Sequence, residues 1–179
     1  HEANKDNGPQ FIFNVTIQNH GGYNFGQDTF KNTIHIEDME NTTQADQYLS
    51  LVKHTDDAFK ELVEYFQNQD EPTIIVFFGD HQPAIEQKFY EEIFKRAKTS
   101  LFSLSLDEMQ TKFTVPFRIW ANYDIEEQDM GTISANYLSS ILLQNTGLEM
   151  PEYNQFLLKL REQIPAMNVN GYMGSDGKY

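Results

Sequence analysis

An aspartate and a histidine lie side by side after an apolar run, in the sequence Thr-Ile-Ile-Val-Phe-Phe-Gly-Asp-His-Gln-Pro of residues 73–83. Residues 73–78 predict a strand buried on both faces, as in a parallel sheet covered by helices. Gly79 can take backbone angles closed to other residues and so aim Asp80 and His81 into one crevice. A carboxylate and an imidazole there can ligate a divalent cation. The alternative is turn chemistry, with Asp80 accepting backbone hydrogen bonds and His81 facing solvent.

A second histidine follows a second predicted strand. Residues 11–17, Phe-Ile-Phe-Asn-Val-Thr-Ile, are mostly β-branched or aromatic and lead into Gln-Asn-His-Gly-Gly-Tyr. By itself, His20 fits a surface turn as well as a functional role. Because parallel strands end at the same edge of a sheet, we expect His20, Asp80 and His81 to converge there.

The remaining elements predict an α/β fold that positions these ends. Thr42 or Thr43 can cap a long helix that runs to about Gln67 and connects the first two strands by a right-handed parallel crossover. Residues 24–41 predict a surface connection with a minor strand at 33–36. Further helices are predicted at about 89–98, 107–112, 134–144 and 151–164, and a third strand at 113–121. We therefore predict a three-layer α/β/α arrangement with a mostly parallel sheet.

Apolar residues at helical spacing predict which helix faces are buried. In the long helix the predicted apolar stripe consists of Tyr48, Leu49, Val52, Phe59, Leu62, Val63 and Phe66. In the last helix, which Pro151 starts and Pro165 ends, the inward residues are expected to be Tyr153, Phe156, Leu157 and Leu160.

Composition excludes several classes of function. The 179 residues carry 27 acidic against 13 basic side chains, a formal charge of −14, which disfavours binding to nucleic acid. The chain contains no cysteine, so disulfides and thiol catalysis are excluded. No stretch approaches the roughly 18 consecutive apolar residues of a membrane span, and no signal peptide is visible.

The four motifs together resemble one family. They lie at residues 13–23, at 48–56 (Tyr-Leu and Thr-Asp), at 77–83 with Gly-Asp-His-Gln-Pro, and at 115–122 with Val-Pro-Phe-Arg-Ile-Trp-Ala-Asn. The chain resembles the C-terminal half of the catalytic domain of lipoteichoic acid synthase-like proteins, in the sulfatase and alkaline phosphatase superfamily. The resemblance implies a partial alkaline phosphatase-like fold at residues 11–165, with a flexible lead-in at 1–10 and a loose tail at 166–179.

The resemblance also implies site roles. Asp80 and His81 match the metal-binding Asp and His of the family, which suggests Mn²⁺, with Mg²⁺, Ca²⁺ and Zn²⁺ as alternatives. His20 matches a histidine that contacts the phosphate or sulfate group of the substrate. The nucleophile and a further metal-binding acid lie upstream in the family and have no counterpart before Phe11. No catalytic residue is therefore expected within this chain, and the isolated chain is expected to be inactive.

The resemblance implies that the chain is part of a metal-dependent, phosphoglycerol transferase-like enzyme. Such an enzyme would act on phosphate esters of lipids or cell-envelope polymers. Its setting would be the extracellular face of the membrane, with an anchor upstream. A sulfate-ester hydrolase on the same scaffold and a non-catalytic binding module are the alternatives. The expected partners are the upstream half of the domain and, through an exposed sheet surface, a second copy of the chain.

Overall fold

The computed structural model describes residues 8–26, 28–94 and 105–179, and these form a mixed α/β fold. In chain order the elements are α1 (Thr43–Gln67), β1 (Ile74–Phe78), α2 (Gln87–Ile93), α3 (Leu106–Phe113), β2 (Phe117–Ala121), a 3₁₀ turn (Ala135–Tyr137), α4 (Leu138–Thr146), α5 (Glu152–Gln163), β3 (Ala166–Asn168) and β4 (Gly171–Met173). The helix expected at 89–98 begins with α2, but Ala97 and Lys98 lie outside the described residues.

The described strands pair antiparallel, so the expected mostly parallel, three-layer arrangement is not seen among the described residues. β1 pairs with β2 in the register Val76 to Ile119, and β3 pairs with β4 in the register Met167 to Tyr172. Each sheet has two strands. An apolar run predicts a strand from local preference, but the direction of its partner depends on a segment far along the chain. The crossover through α1 therefore does not join two parallel strands in the described part of the chain.

The first predicted strand does not form. Residues 11–17 have no regular secondary structure, and the exposure of the large apolar side chains among them runs from 62% at Ile12 to 82% at Phe11. A strand needs a neighbour to satisfy its backbone groups, and no described strand pairs with this segment. The minor strand expected at 33–36 is also absent, because the amides of Thr33 and Ile34 both donate to the Ser50 hydroxyl, each at 2.9 Å.

Helix α1 has the predicted bounds, but its fully buried residues lie outside the predicted apolar stripe. Its buried residues are Ala45, Gln47, Ser50 and Leu51. Gln47 holds the connection before the helix, since its side chain donates to the Phe25 carbonyl and accepts from the Phe25 amide, both at 3.0 Å. Val52 and Leu62, predicted to face inward, are 37% and 42% exposed. Neither α1 nor any other helix among the described residues is long and apolar enough to cross a membrane.

The C-terminal half of α1 still contacts the sheet. The ring of Phe59 stacks on that of Phe77 in β1, with centroids 4.6 Å apart. The predicted stripe is therefore correct at Phe59, but β1 remains half-buried and Phe78 at its end is 42% exposed.

A second hydrophobic cluster joins the C-terminal helices to β2. Tyr137, Ile141 and Leu157 form its buried centre, and Ile119 packs against it. Gly147 ends α4 in the left-handed conformation, with φ 68°. The face of α5 was predicted only in part, because Tyr153 and Phe156 are 67% and 56% exposed while Leu157 is buried.

The segment from residue 166, expected to be loose, contains the hairpin of β3 and β4. Ser134 attaches this hairpin to the start of the C-terminal helices. Its hydroxyl donates to the Met167 carbonyl at 3.1 Å and accepts from the Met167 amide at 2.6 Å. These hydrogen bonds, made across more than thirty residues of sequence, explain why local composition did not predict the hairpin.

Candidate metal centre

Asp80 and His81 follow the end of β1, beside the residues that precede β2. The Gly79 amide donates to the Pro116 carbonyl at 3.1 Å and so extends the antiparallel ladder by one residue. A Cβ at Gly79 would lie 3.3 Å from the Cβ of Val115, a close approach. Gly79 is not among the residues with positive φ. The prediction that it makes a special turn is therefore wrong, and its role is to let two backbones come together.

The two side chains of the pair project into solvent and are oriented by their own backbone. Asp80 is 82% exposed and His81 68% exposed. The His81 amide donates to Asp80 Oδ1 at 2.9 Å, as the turn interpretation expects. Asp80 Oδ2 lies 3.6 Å from His81 Nε2. One carboxylate oxygen and one ring nitrogen thus face each other across a gap that a small ion can bridge.

The ring of His81 has an orientation suited to a metal ligand. Its Nδ1 lies 2.9 Å from the Gln82 carbonyl oxygen. Because a carbonyl can only accept, Nδ1 carries the proton in this contact, and in the neutral ring the lone pair belongs to Nε2. Metal-ligating histidines commonly use such a backbone carbonyl to fix the tautomer. The donor set therefore fits a divalent cation, although no group of three or more such ligands occurs among the described residues.

The segment that carries His20 is a turn docked on α1. The His20 amide donates to the Ile17 carbonyl at 3.0 Å, and Gly22 takes φ 102°. Asn19 connects this turn to the helix, since its side-chain oxygen accepts from the Thr55 hydroxyl at 3.0 Å. His20 itself is exposed. The position of His20 is thus set by its neighbours in the turn.

Tyr23 relates the His20 turn to the Asp80–His81 pair. Its side chain is buried, its hydroxyl donates to the Asn19 carbonyl at 2.8 Å, and its ring lies edge-on to Tyr48 with centroids 5.5 Å apart. Burial, then Tyr48, then the charge of Asp80 raise the pKa of Tyr23. The Asp80 carboxylate is therefore within electrostatic range of Tyr23, three residues after His20. The convergence of His20 with Asp80 and His81 was predicted from two parallel strands, and that reason is wrong because residues 11–17 form no strand. The convergence itself stays a prediction.

An open cavity of about 1380 Å³ lies beside β2 and includes Asp80 in its wall. Arg118 lines it as well. The loop after β2 contributes the acidic side chains Asp124, Glu126, Glu127 and Asp129. Asp80 thus borders a space large enough for a polymer segment or for another part of a protein.

Sequence reasoning missed two residues that shape the site. Tyr23 is the last residue of the Gln-Asn-His-Gly-Gly-Tyr motif, and its aromatic side chain was the only sign in the sequence that it could be buried. Glu86 reaches α1 from 41 and 42 positions away and left no local signal.

Comparisons with known proteins show the family of the chain. The profile of the Sulfatase family matches residues 2–148. A candidate cyclic beta-1,2-glucan modification protein of Rhizobium meliloti (strain 1021) is 31% identical over 99% of this chain and 28% of its own length. The capsular polysaccharide biosynthesis protein RkpI of the same organism is 28% identical over 60% of this chain and 18% of its own length.

A solved structure shows the same fold. The phosphoglycerol transferase GacH of Streptococcus pyogenes, in complex with sn-glycerol-1-phosphate, superposes with a TM-score of 0.56 at 19% identity. The match covers 73% of this chain and 31% of GacH. The chain thus spans less than a third of the length of each of these proteins.

Proposed function

Because the chain belongs to the sulfatase family, we propose that it is part of a metal-dependent, phosphoglycerol transferase-like enzyme in which Asp80 and His81 hold a divalent cation. The observation that supports this most directly is the geometry of the pair. Asp80 Oδ2 lies 3.6 Å from His81 Nε2, and the Gln82 carbonyl holds the opposite nitrogen of the ring. Mn²⁺ is the proposed ion because the resemblance to lipoteichoic acid synthase-like proteins suggests it, and Mg²⁺, Ca²⁺ and Zn²⁺ are the alternatives.

Each residue has a distinct role in this proposal. Asp80 supplies a negatively charged oxygen and His81 a neutral nitrogen. His20 holds the phosphate or sulfate group of the substrate by hydrogen bonding. When bound, the cation neutralises charge on the substrate's oxygens and favours ionisation of the attacking hydroxyl. The contribution of this chain is to orient ligands and substrate, and the nucleophile is proposed to come from elsewhere in a longer protein.

The proposed substrates are phosphate esters of lipids or cell-envelope polymers. Two relatives are described by glycan chemistry, cyclic beta-1,2-glucan modification and capsular polysaccharide biosynthesis. The structural neighbour is a phosphoglycerol transferase bound to sn-glycerol-1-phosphate. Transfer or hydrolysis of a phosphoglycerol group on an envelope glycan fits all three descriptions. We propose that this occurs outside the cell, on a membrane-anchored protein.

The remaining catalytic parts are proposed to pack against residues 11–17. In this segment Phe11, Val15 and Ile17 are 82%, 76% and 80% exposed. A row of exposed apolar side chains outside the described sheets is a ready partner for a neighbouring strand. Covered in this way, the segment would become a strand of a larger, mostly parallel sheet in a three-layer α/β/α arrangement. A second copy of the chain is the alternative cover.

Sulfate-ester hydrolysis is the second candidate, and the match to the Sulfatase family favours it. The residue at the nucleophile position of the longer protein separates the two, since Thr favours phosphoglycerol transfer and a modified Cys or Ser favours sulfate. A binding module that has lost catalysis would lack both the nucleophile and the further metal-binding acid.

Calorimetric titration with Mn²⁺ tests the metal role in this chain. We expect weak binding, because two protein ligands do not complete a coordination sphere. Asp80→Ala should abolish the binding, whereas Asp70→Ala, which removes an exposed carboxylate before β1, should leave it unchanged. Equal binding by wild type and Asp80→Ala would refute the assignment. No turnover of glycerophosphate or sulfate esters is expected from the chain alone.

A further inference from the structure

Glu86 caps a helix that is remote from it in sequence. Its Oε1 accepts from the Gln44 amide at 2.5 Å and its Oε2 from the Ala45 amide at 3.0 Å. The Thr42 side chain makes no capping hydrogen bond to α1. Two amides of the first helical turn therefore find their acceptor in Glu86. The negative charge of Glu86 also interacts favourably with the positive end of the helix dipole.

Glu86 is also the end of the segment that carries the metal pair. Residues 79–86 begin where the Gly79 amide bonds the Pro116 carbonyl and end at Glu86, the residue before α2. Between these ends, the side-chain nitrogen of Gln82 donates to the Thr114 carbonyl, and the Tyr90 hydroxyl donates to the Pro83 carbonyl. Because Asp80 and His81 are largely exposed, their position depends on these attachments.

Helix α1 carries the His20 turn as well. Thr55 bonds Asn19 at 3.0 Å, and Tyr48 contacts the ring of Tyr23. Helix α1 thus holds the His20 turn along its side. Through Glu86, it holds the loop of Asp80 and His81 at its first turn. The spacing between the two loops is set on this shared support.

We propose that Glu86 is a positioning residue that fixes the Asp80–His81 pair relative to His20 by attaching its loop to α1. The metal-dependent half of this proposal rests on the proposed function. The attachment itself concerns the chain without metal and can be tested separately.

Mn²⁺-induced broadening of assigned NMR signals tests the proposal in the full chain, since it detects weak binding and falls steeply with distance. In wild type, dilute Mn²⁺ should broaden the His81 ring signals first and those of His20 next. In Glu86→Ala, the Mn²⁺ concentration that halves the His81 signal should rise at least threefold, and the His20 broadening should be lost. Glu86→Gln, which keeps one acceptor oxygen, should lie between the two.

Glu91→Ala is the matched control. It removes an equal charge from α2, where Glu91 accepts from the Gln87 side chain at 2.7 Å, and it leaves the contact with α1 intact. Its broadening pattern should match wild type. If Glu86→Ala lowers the melting temperature but keeps the wild-type pattern in its folded fraction, Glu86 is merely structural and the proposal is overturned.

Hydrogen exchange separates failure of the positioning from failure of the metal assignment. If wild type shows no Mn²⁺ broadening at His81, the metal role fails. The positioning is then decided by the His81 amide, which bonds Asp80 Oδ1. Faster exchange of this amide in Glu86→Ala than in Glu91→Ala supports the attachment. Equal exchange in the two variants overturns it.

Discussion

The Thr73 amide donates to the side-chain oxygen of Asn122 at 2.7 Å, and the Thr73 carbonyl accepts from the Asn122 amide at 3.0 Å. The side-chain nitrogen of Asn122 also donates to the carbonyls of Phe66, Gln69 and Glu71, at 2.9–3.1 Å. One amide group therefore joins the end of α1, the start of β1 and the end of β2. It determines where β1 enters the sheet, and so where Asp80 and His81 follow it.

Replacing Asn122 should destabilise the fold more than its size suggests. Asn122→Ala leaves the Thr73 amide without its side-chain acceptor and removes the donor that the carbonyls of Phe66, Gln69 and Glu71 share. The expected cost is about 2 kcal/mol in the free energy of unfolding. Asn122→Asp keeps the acceptor for Thr73 but sets a carboxylate against three carbonyls, so we expect a similar or larger loss. Urea unfolding followed by circular dichroism measures both.

Asn68→Ala serves as the control for the hydrogen bonds of Asn122. It removes a single exposed hydrogen bond, from Asn68 Nδ2 to the Glu64 carbonyl at 2.7 Å, and should cost well under about 1 kcal/mol. Equal losses for Asn68→Ala and Asn122→Ala would show that the interactions of Asn122 are not cooperative.

Gly79→Ala should strain the junction between β1 and the turn before β2. Its Cβ would lie 3.3 Å from Val115 Cβ and 3.6 Å from Val115 Cγ1. We expect a loss of about 1 kcal/mol in the free energy of unfolding from the forced shift. Gly26→Ala is the matched control, because no atom lies within 4 Å of its Cβ position. Destabilisation of the two variants to the same extent would contradict a role for Gly79 in close packing.

Thr55→Val should loosen the His20 turn while keeping the shape of the side chain. The variant removes the hydroxyl that donates to Asn19 at 3.0 Å, at a cost of about 1 kcal/mol. We expect faster hydrogen exchange at the His20 amide, which bonds the Ile17 carbonyl. Thr55→Ser retains the donor and should exchange nearly as wild type does. Fast exchange in Thr55→Ser as well would assign the effect to lost methyl packing.

The chain should lose stability at alkaline pH. Burial is the main cause that raises the pKa of Tyr23, Tyr48, Tyr90, Tyr123 and Tyr137 above the usual value near 10. In the unfolded chain these groups ionise first, so above about pH 10 the folded state binds more protons. The free energy of unfolding therefore falls as pH rises through this range.

Urea unfolding at about pH 9 and about pH 11 measures this loss. Tyr48→Phe removes one of the groups and should reduce the difference between the two pH values. A free energy of unfolding that stays constant across the range would contradict the assignment of buried phenols.

Local sequence determined the existence of most elements. The β-branched run before Gly79 is a strand, the bounds of α1 match its pattern, and Gly147 ends α4 in the left-handed conformation. The adjacency of Asp80 and His81 in sequence placed both at one strand end. These features depend on residues a few positions apart, which is the range over which propensity and periodicity operate.

Tertiary structure alone decided the pairing and the attachments. Whether β1 is parallel or antiparallel to its neighbour depends on β2, and residues 11–17 are strand-like in composition yet unpaired among the described residues. The buried face of α1 follows from the bonds of Gln47 and Ser50 to the connection before it. The attachment of Glu86 to Ala45 spans 41 positions. Such contacts join distant segments, so their free energy depends on the folded arrangement of the chain and not on any local pattern.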